Sequence, residues 1–182
     1  MNNTVTIFTK ESIVSTLDKT HREVTAFFGS QSPESFHLRP ADGWTLSENL
    51  EHLIKSTKPV ARAMRLPKIT LRMMFGTPAK PSRQFEEIKQ TYVQELAKGA
   101  QASGRFLPAE TKKDLDIATA QANLLEQWRK ASGDLITALN YWDDGELDQY
   151  ALPHPIVGSL TVREMLFFTI YHDMRHMTPE GD

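Results

Sequence analysis

Hydrophobic residues along this chain recur mostly at intervals of three and four, the period of an α-helix. Over residues 9–28 they fall at Ile13, Val14, Leu17, Val24, Phe27 and Phe28, which makes one buried face, and Gly29 offers a C-terminal stop. Pro33, Pro40 and Gly43 mark residues 30–43 as a connection. A second helix is expected to start at Thr45, because Thr45 and Glu48 have the T-x-x-E spacing of a capping box. Its apolar stripe is Leu46, Leu50, Leu53, Ile54, Thr57 and Ala61, and Pro59 is placed to kink or end it. Pro67, Gly76, Pro78 and Pro81 break the pattern over residues 66–82, which predicts an excursion with a short helix around 69–75. Helices follow over 85–98 and 115–142, with a loop at 99–114 between them. Leu124, Leu125, Trp128, Leu135, Ile136, Leu139 and Trp142 form the apolar side of the longer one. Residues 143–159 read as turns, with Pro153, Pro155 and Gly158. The last helix, 162–177, opens on a second capping box, Thr161 to Glu164, and is expected to close at Pro179. No strand-like alternation competes. Four long helices and two excursions predict an all-α helix bundle, one domain over residues 1–182.

Composition narrows the chemistry. With 40% hydrophobic and 24% charged residues the chain reads as an ordinary globular domain. A net charge of −2, from 21 basic and 23 acidic residues, leaves no basic excess for nucleic acid. The longest apolar run, 165–171, is too short to cross a membrane. The first residues lack the basic and apolar regions of a signal peptide, so a cytoplasmic location is expected. There is no cysteine. Any bound metal must therefore be held by nitrogen and oxygen, and a cysteine nucleophile is excluded.

Histidine is the residue type left to carry such a site. His172 and His176 are four apart on the last helix, so both imidazoles share a face and can point at one ion. At 100° per residue they flank Met165 and look inward, where imidazole nitrogens must be satisfied. The alternative is a pair hydrogen-bonded to neighbouring helices. Asp173 and Met174 follow His172, so the zincin H-E-x-x-H pattern is absent. Periodicity does not choose a third ligand. His52 lies off the apolar stripe of its helix, with Asn49 and Ser56, and taken alone reads as a surface residue. His21 lies on the buried face of the first helix, where a histidine is more often a satisfied core residue than a ligand. His154, between two prolines, reads as orienting a turn, and His37 as surface.

Two segments carry a family resemblance. Gly43-Trp44-Thr45-Leu46-Ser47-Glu48-Asn49-Leu50-Glu51-His52-Leu53 resembles the second-helix motif of the DinB-like family. His154-Pro155, Gly158, Leu160-Thr161, Arg163-Glu164-Met165-Leu166-Phe167-Phe168 and His172-Asp173-Met174-Arg175-His176 resemble its last-helix motif, in the expected order and separation. The resemblance implies an up-down-down-up four-helix bundle with a divalent-metal site made by His52, His172 and His176. It also implies frequent dimers. Relatives include S-transferases and isomerases that use bacillithiol, mycothiol or glutathione. The chain departs from the pattern after His176, where Met177-Thr178-Pro179 stand in place of a continued helix with a glutamine.

Zinc or nickel suits three imidazoles best, with manganese or iron as alternatives. Three protein ligands leave positions open, as catalytic sites do. Two function classes follow. One is a metal-dependent enzyme acting on a small molecule, either a hydrolase or a low-molecular-weight-thiol S-transferase. The other is a non-catalytic metal-binding or stress-linked interaction module of the same fold. No catalytic residue is assigned: Glu48 is expected to serve the capping box, and the helical position of Asp173 points away from the pair. Lys68, Arg72, Lys80 and Arg83 form a basic excursion that could hold a thiol's carboxylates, or simply be solvated. The last helix is apolar nearly all round, at Leu166, Phe167, Phe168, Ile170, Tyr171 and Met174. That predicts a second covered face, and Phe167 and Tyr171 are the expected contact residues of a homodimer.

Overall fold

A computed structural model describes residues 8–109 and 116–177. Among the described residues the helices are α1 (Lys10–Gly29), α2 (Pro33–His37), α3 (Leu46–Met64), α4 (Lys68–Phe75), α5 (Phe85–Ala97), α6 (Ile117–Asn140) and α7 (Val162–Arg175). Single 3-10 turns lie at Gly104–Phe106 and Asp144–Asp148. The helices α1, α3, α6 and α7 pack on one another, α3 most extensively on α6. Their apolar faces meet in a core that includes Leu17, Leu53, Trp128, Leu135, Trp142 and Leu166, all buried. Both buried indoles keep a hydrogen bond: Trp142 Nε1 donates to the Met64 carbonyl at 2.9 Å and Trp128 Nε1 to that of His21 at 3.4 Å. No helix among the described residues is long and apolar enough to cross a membrane.

Both expected capping boxes are present. Thr45 Oγ1 accepts from the Glu48 amide while Glu48 accepts from the Thr45 amide, and Thr161 and Glu164 do the same at the start of α7. The helix α3 continues through Pro59, which leaves the Lys55 carbonyl without its helical donor but does not end the run. The helix α1 ends at Gly29 as expected, but without a left-handed glycine cap. Gly29 stays helical, and the Ser30 amide closes the helix on the Ala26 carbonyl. The predicted closure at Pro179 and the predicted helix start at residue 115 lie outside the described residues.

The purely helical expectation needs one correction. Residues read as turns contain an antiparallel hairpin, β1 (Ala151–His154) and β2 (Gly158–Thr161), with Ala151 opposite Thr161 and His154 opposite Gly158. Each strand has four residues, too few for alternation to register, and Gly158 at φ +80° makes the turn. The strand β2 ends on Thr161, so the hairpin delivers the chain directly into the N-cap of α7.

A second correction concerns the apolar last helix. Most of its extra face is covered within the chain, with Met174 left exposed. Phe167 is fully buried, with the Phe8 and Phe85 rings 6.4 and 6.0 Å away, and α5 packs along α7. At Phe167 the covering element is α5, so this side chain is buried within the chain itself. Below it, Arg163 is buried and bonds Asp144, Asp148 and the Phe8 carbonyl, tying two segments to the first turn of α7. Lys68 pairs with Glu146, Arg72 lies 5.0 Å from the Tyr150 ring centroid, and Arg83 grips Glu164. Three of the four basic residues of the excursion thus hold the fold rather than a ligand.

Thr161 also contacts Ser82 Oγ at 2.7 Å. Thr161→Ala should therefore lower stability by about 1 kcal/mol, and Thr161→Ser should recover most of it. Urea unfolding with an unchanged slope and a lower midpoint is the expected observation. An unchanged midpoint would remove the cap from the account of α7.

Candidate metal centre

The helices α3 and α7 bring His52, His172 and His176 together, with one nitrogen from each ring within 4.8 Å of the others. His172 and His176 are one turn apart on α7, and the His176 amide still bonds the His172 carbonyl, so the helical register persists to the last ligand position. His52 comes from the middle of α3. It is buried, not at the surface as its position beside the apolar stripe suggests. The polar stripe of Asn49, His52 and Ser56 faces α7 and the 99–109 loop, whose 3-10 turn lies over α3.

Hydrogen bonds fix which nitrogen is available in two of the three rings, His52 and His176, while His172 Nδ1 is buried without a partner. His52 Nδ1 is 2.8 Å from the Phe106 carbonyl oxygen, which can only accept. The Nδ1 atom therefore carries the proton in the neutral ring, and Nε2 keeps its lone pair. His176 Nδ1 is 2.6 Å from Asn49 Oδ1. The Asn49 amide is oriented by its NH₂ group, which donates to the Thr45 carbonyl at 2.9 Å, so the oxygen faces His176 and Nδ1 is again the protonated atom. His52 Nε2 lies 3.0 Å from His172 Nε2. Two imidazole edges meeting at that distance suit a shared cation bound between them. The Trp44 ring closes one side, 5.0 Å from His52 and stacked on His176.

Burial keeps the His172 and His176 rings uncharged. It pushes His172 well below its ordinary value, with the neighbouring His176 and His52 adding to the shift. His176 is lowered to about 3, by burial first and then by His52. Neutral rings with a bare Nε2 are the form in which imidazole binds a divalent ion, so the donor set fits one.

The remaining candidates fall elsewhere. His21 is buried against Trp128, at 5.3 Å between ring centroids, and its Nε2 is 3.5 Å from Asp173 Oδ2. Asp173 is fully buried, burial raises its carboxyl pKa, and it faces away from the three-histidine cluster toward α1. Glu48 is occupied by its cap and by Arg39. His37 is half-buried against Phe36, away from the centre. His154 does orient a turn: its Nδ1 accepts from the Ile156 and Val157 amides at 3.2 and 3.1 Å. It also lines a cavity of about 160 Å³ that has His52 and His172 in its wall. Asn49 and the Phe106 carbonyl were not anticipated as site groups. The polar stripe of α3 was the available signal for Asn49, and a backbone carbonyl leaves none.

The buried histidines make stability depend on acid. An unfolded chain protonates each near pH 6.5, whereas the folded chain holds His154 neutral to about 4 and His176 to about 3. The unfolded state therefore binds more protons across that window, and stability is lost as pH falls through it. The slope should reach about 1.4 kcal/mol per pH unit for each such histidine. Urea unfolding of chelator-treated protein should give a clearly lower midpoint at pH 5 than at pH 7.5, and equal midpoints would contradict the burial of these rings.

The sequence profile of the DinB superfamily matches residues 16–178, a span that contains α3, α7 and all three clustered histidines. No curated protein matches the chain. With most of its length covered by that one profile, the chain belongs to the DinB superfamily.

Proposed function

We propose that the protein is a metal-dependent enzyme that holds one divalent ion through Nε2 of His52, His172 and His176. The observation that carries this reading is the pair of Nδ1 hydrogen bonds, to the Phe106 carbonyl and to Asn49, that leave bare Nε2 atoms beside His172. Zinc or nickel is the expected ion by ligand type. The packing of α1, α3, α6 and α7 is read as the up-down-down-up bundle. When bound, the ion would act as a Lewis acid that lowers the pKa of water or of a thiol. The chain's own residues orient the ligands, exclude water with Trp44 and Phe168, and present an apolar cavity beside the ion site.

Between hydrolase and thiol transferase, the cavity wall favours the second. Among the described residues no aspartate or glutamate lines it. Hydrolysis calls for a base and an acid placed at the reacting bond. A thiol has a pKa of about 8.5, far below that of water, and needs only the cation to become a nucleophile. The proposed reaction class is thus transfer involving a small thiol.

Titration should find one divalent ion per chain. His52→Ala, His172→Ala and His176→Ala should each abolish tight binding, while His21→Ala retains it. Asn49→Ala should weaken binding by roughly tenfold to a hundredfold, because it frees the His176 ring. Normal binding by His52→Ala would exclude this ligand set. For the reaction, loss of free thiol from bacillithiol, mycothiol or glutathione with an electrophile and added metal is the measurement. Turnover that survives in His172→Ala would refute metal-dependent thiol activation, and metal binding without turnover of any of the three would favour a binding module.

A further inference from the structure

The cavity beside the histidine cluster has walls of Val60, Phe75, Leu152, Ile156, Met165 and Phe168. At about 160 Å³ it is close to the roughly 150 Å³ of an apolar cavity that takes a benzene ring. Besides His172 Nδ1, which is buried without a partner, two polar groups in this wall lack a protein acceptor. The first is His154. Because its Nδ1 accepts two backbone amides, a neutral His154 ring must carry its proton on Nε2. No described residue bonds that N–H. Burial lowers the His154 pKa to about 4, so the ring is neutral and the donor permanent near neutral pH. The second group is Thr57, whose buried hydroxyl has no partner, whereas Thr169 on α7 turns its hydroxyl back onto the Met165 carbonyl at 2.9 Å. At the rim stands Arg105, exposed, with its guanidinium 5.0 Å from the Phe106 ring centroid.

From this arrangement we infer that the cavity binds a small carboxylate with a ring-sized apolar body, and that His154 Nε2–H is the specificity donor to its oxygen. The inference rests on reading the cavity as the substrate site of the proposed enzyme. Apolar walls select the body by shape and hydrophobic contact. A half-buried His154 N–H and a buried Thr57 hydroxyl without acceptors select an oxygen, since a ligand lacking one leaves them unpaired. The cation at the rim, with no acid among the described lining residues, selects the ionised form. Neutral His154 acts as a hydrogen-bond donor, not as a base, because its only free lone pair is committed to the turn.

Two substitutions separate the two nitrogens. In His154→Asn the amide oxygen takes the place of Nδ1 and keeps the turn, but nothing reaches the Nε2 position. In His154→Gln the side-chain NH₂ reaches that position. The probes are benzoate and toluene, bound by full-length protein as purified and followed by ligand-observed NMR, with metal content measured on each sample. Wild type should bind both. His154→Asn should bind benzoate about tenfold more weakly and toluene unchanged, His154→Gln should stay near wild type for benzoate, and Arg105→Gln should lose several-fold for benzoate alone. Equal benzoate affinity in wild type and His154→Asn would overturn the assignment of His154. Failure of wild type to bind either probe would overturn the cavity as a ligand site. Neither failure touches the metal reading, which stands or falls on the metal content of the same samples.

Discussion

Three imidazoles drawn into one another's reach inside a protein repel if charged and leave lone pairs facing if neutral. The rest of the structure answers that constraint. Charge is removed by burial. The lone pairs are sorted by two oxygen atoms, one from Asn49 and one from the backbone at Phe106, which draw the protons to the outer side of their rings. What remains is an inward-facing set of basic nitrogens that an ion would satisfy better than any protein group. The surrounding elements follow from the need to keep this geometry still: a cap on each ligand-bearing helix, the Arg163 clamp under α7, and α5 laid along its other side.

The parts of the fold governed by local chemistry were legible in the residues. Thr45 with Glu48 and Thr161 with Glu164 announce two helix starts, because a capping box needs only four consecutive positions. Long amphipathic runs announce α1, α3 and α6 in the same way. The short hairpin was not legible, since four residues per strand cannot display a period of two. Nor was the partner of the apolar α7. Whether a second hydrophobic face meets another chain or another helix depends on how the intervening segments travel, and that is a long-range property. Residues around Phe85 turned out to travel to it.

At the site, the i, i+4 spacing of His172 and His176 was informative by geometry alone, whereas His52 was selected by its resemblance to a family motif. Helical periodicity misplaced it at the surface. A polar stripe next to an apolar one usually means solvent, but His52 and Ser56 line a cavity beside the 99–109 loop and Asn49 bonds His176. The same period cannot tell water from a polar interior. The basic excursion shows the converse error: Lys68, Arg72 and Arg83 suggested a ligand and are instead taken up by Glu146, Tyr150 and Glu164.

The two oxygens that orient the ligand rings differ in kind, and this bears on how such a site can diversify. Asn49 contributes a side chain, so position 49 is closed to change. At position 106 the contribution is a carbonyl, which every amino acid possesses. The side chain there, together with its neighbour Arg105, lines the cavity without being needed to hold His52. Selection for a new ligand can therefore rewrite 105 and 106 while the tautomer of His52 is inherited unchanged. The cavity lining and the orientation of His52 share a loop yet can drift independently, because one is written in side chains and the other in backbone.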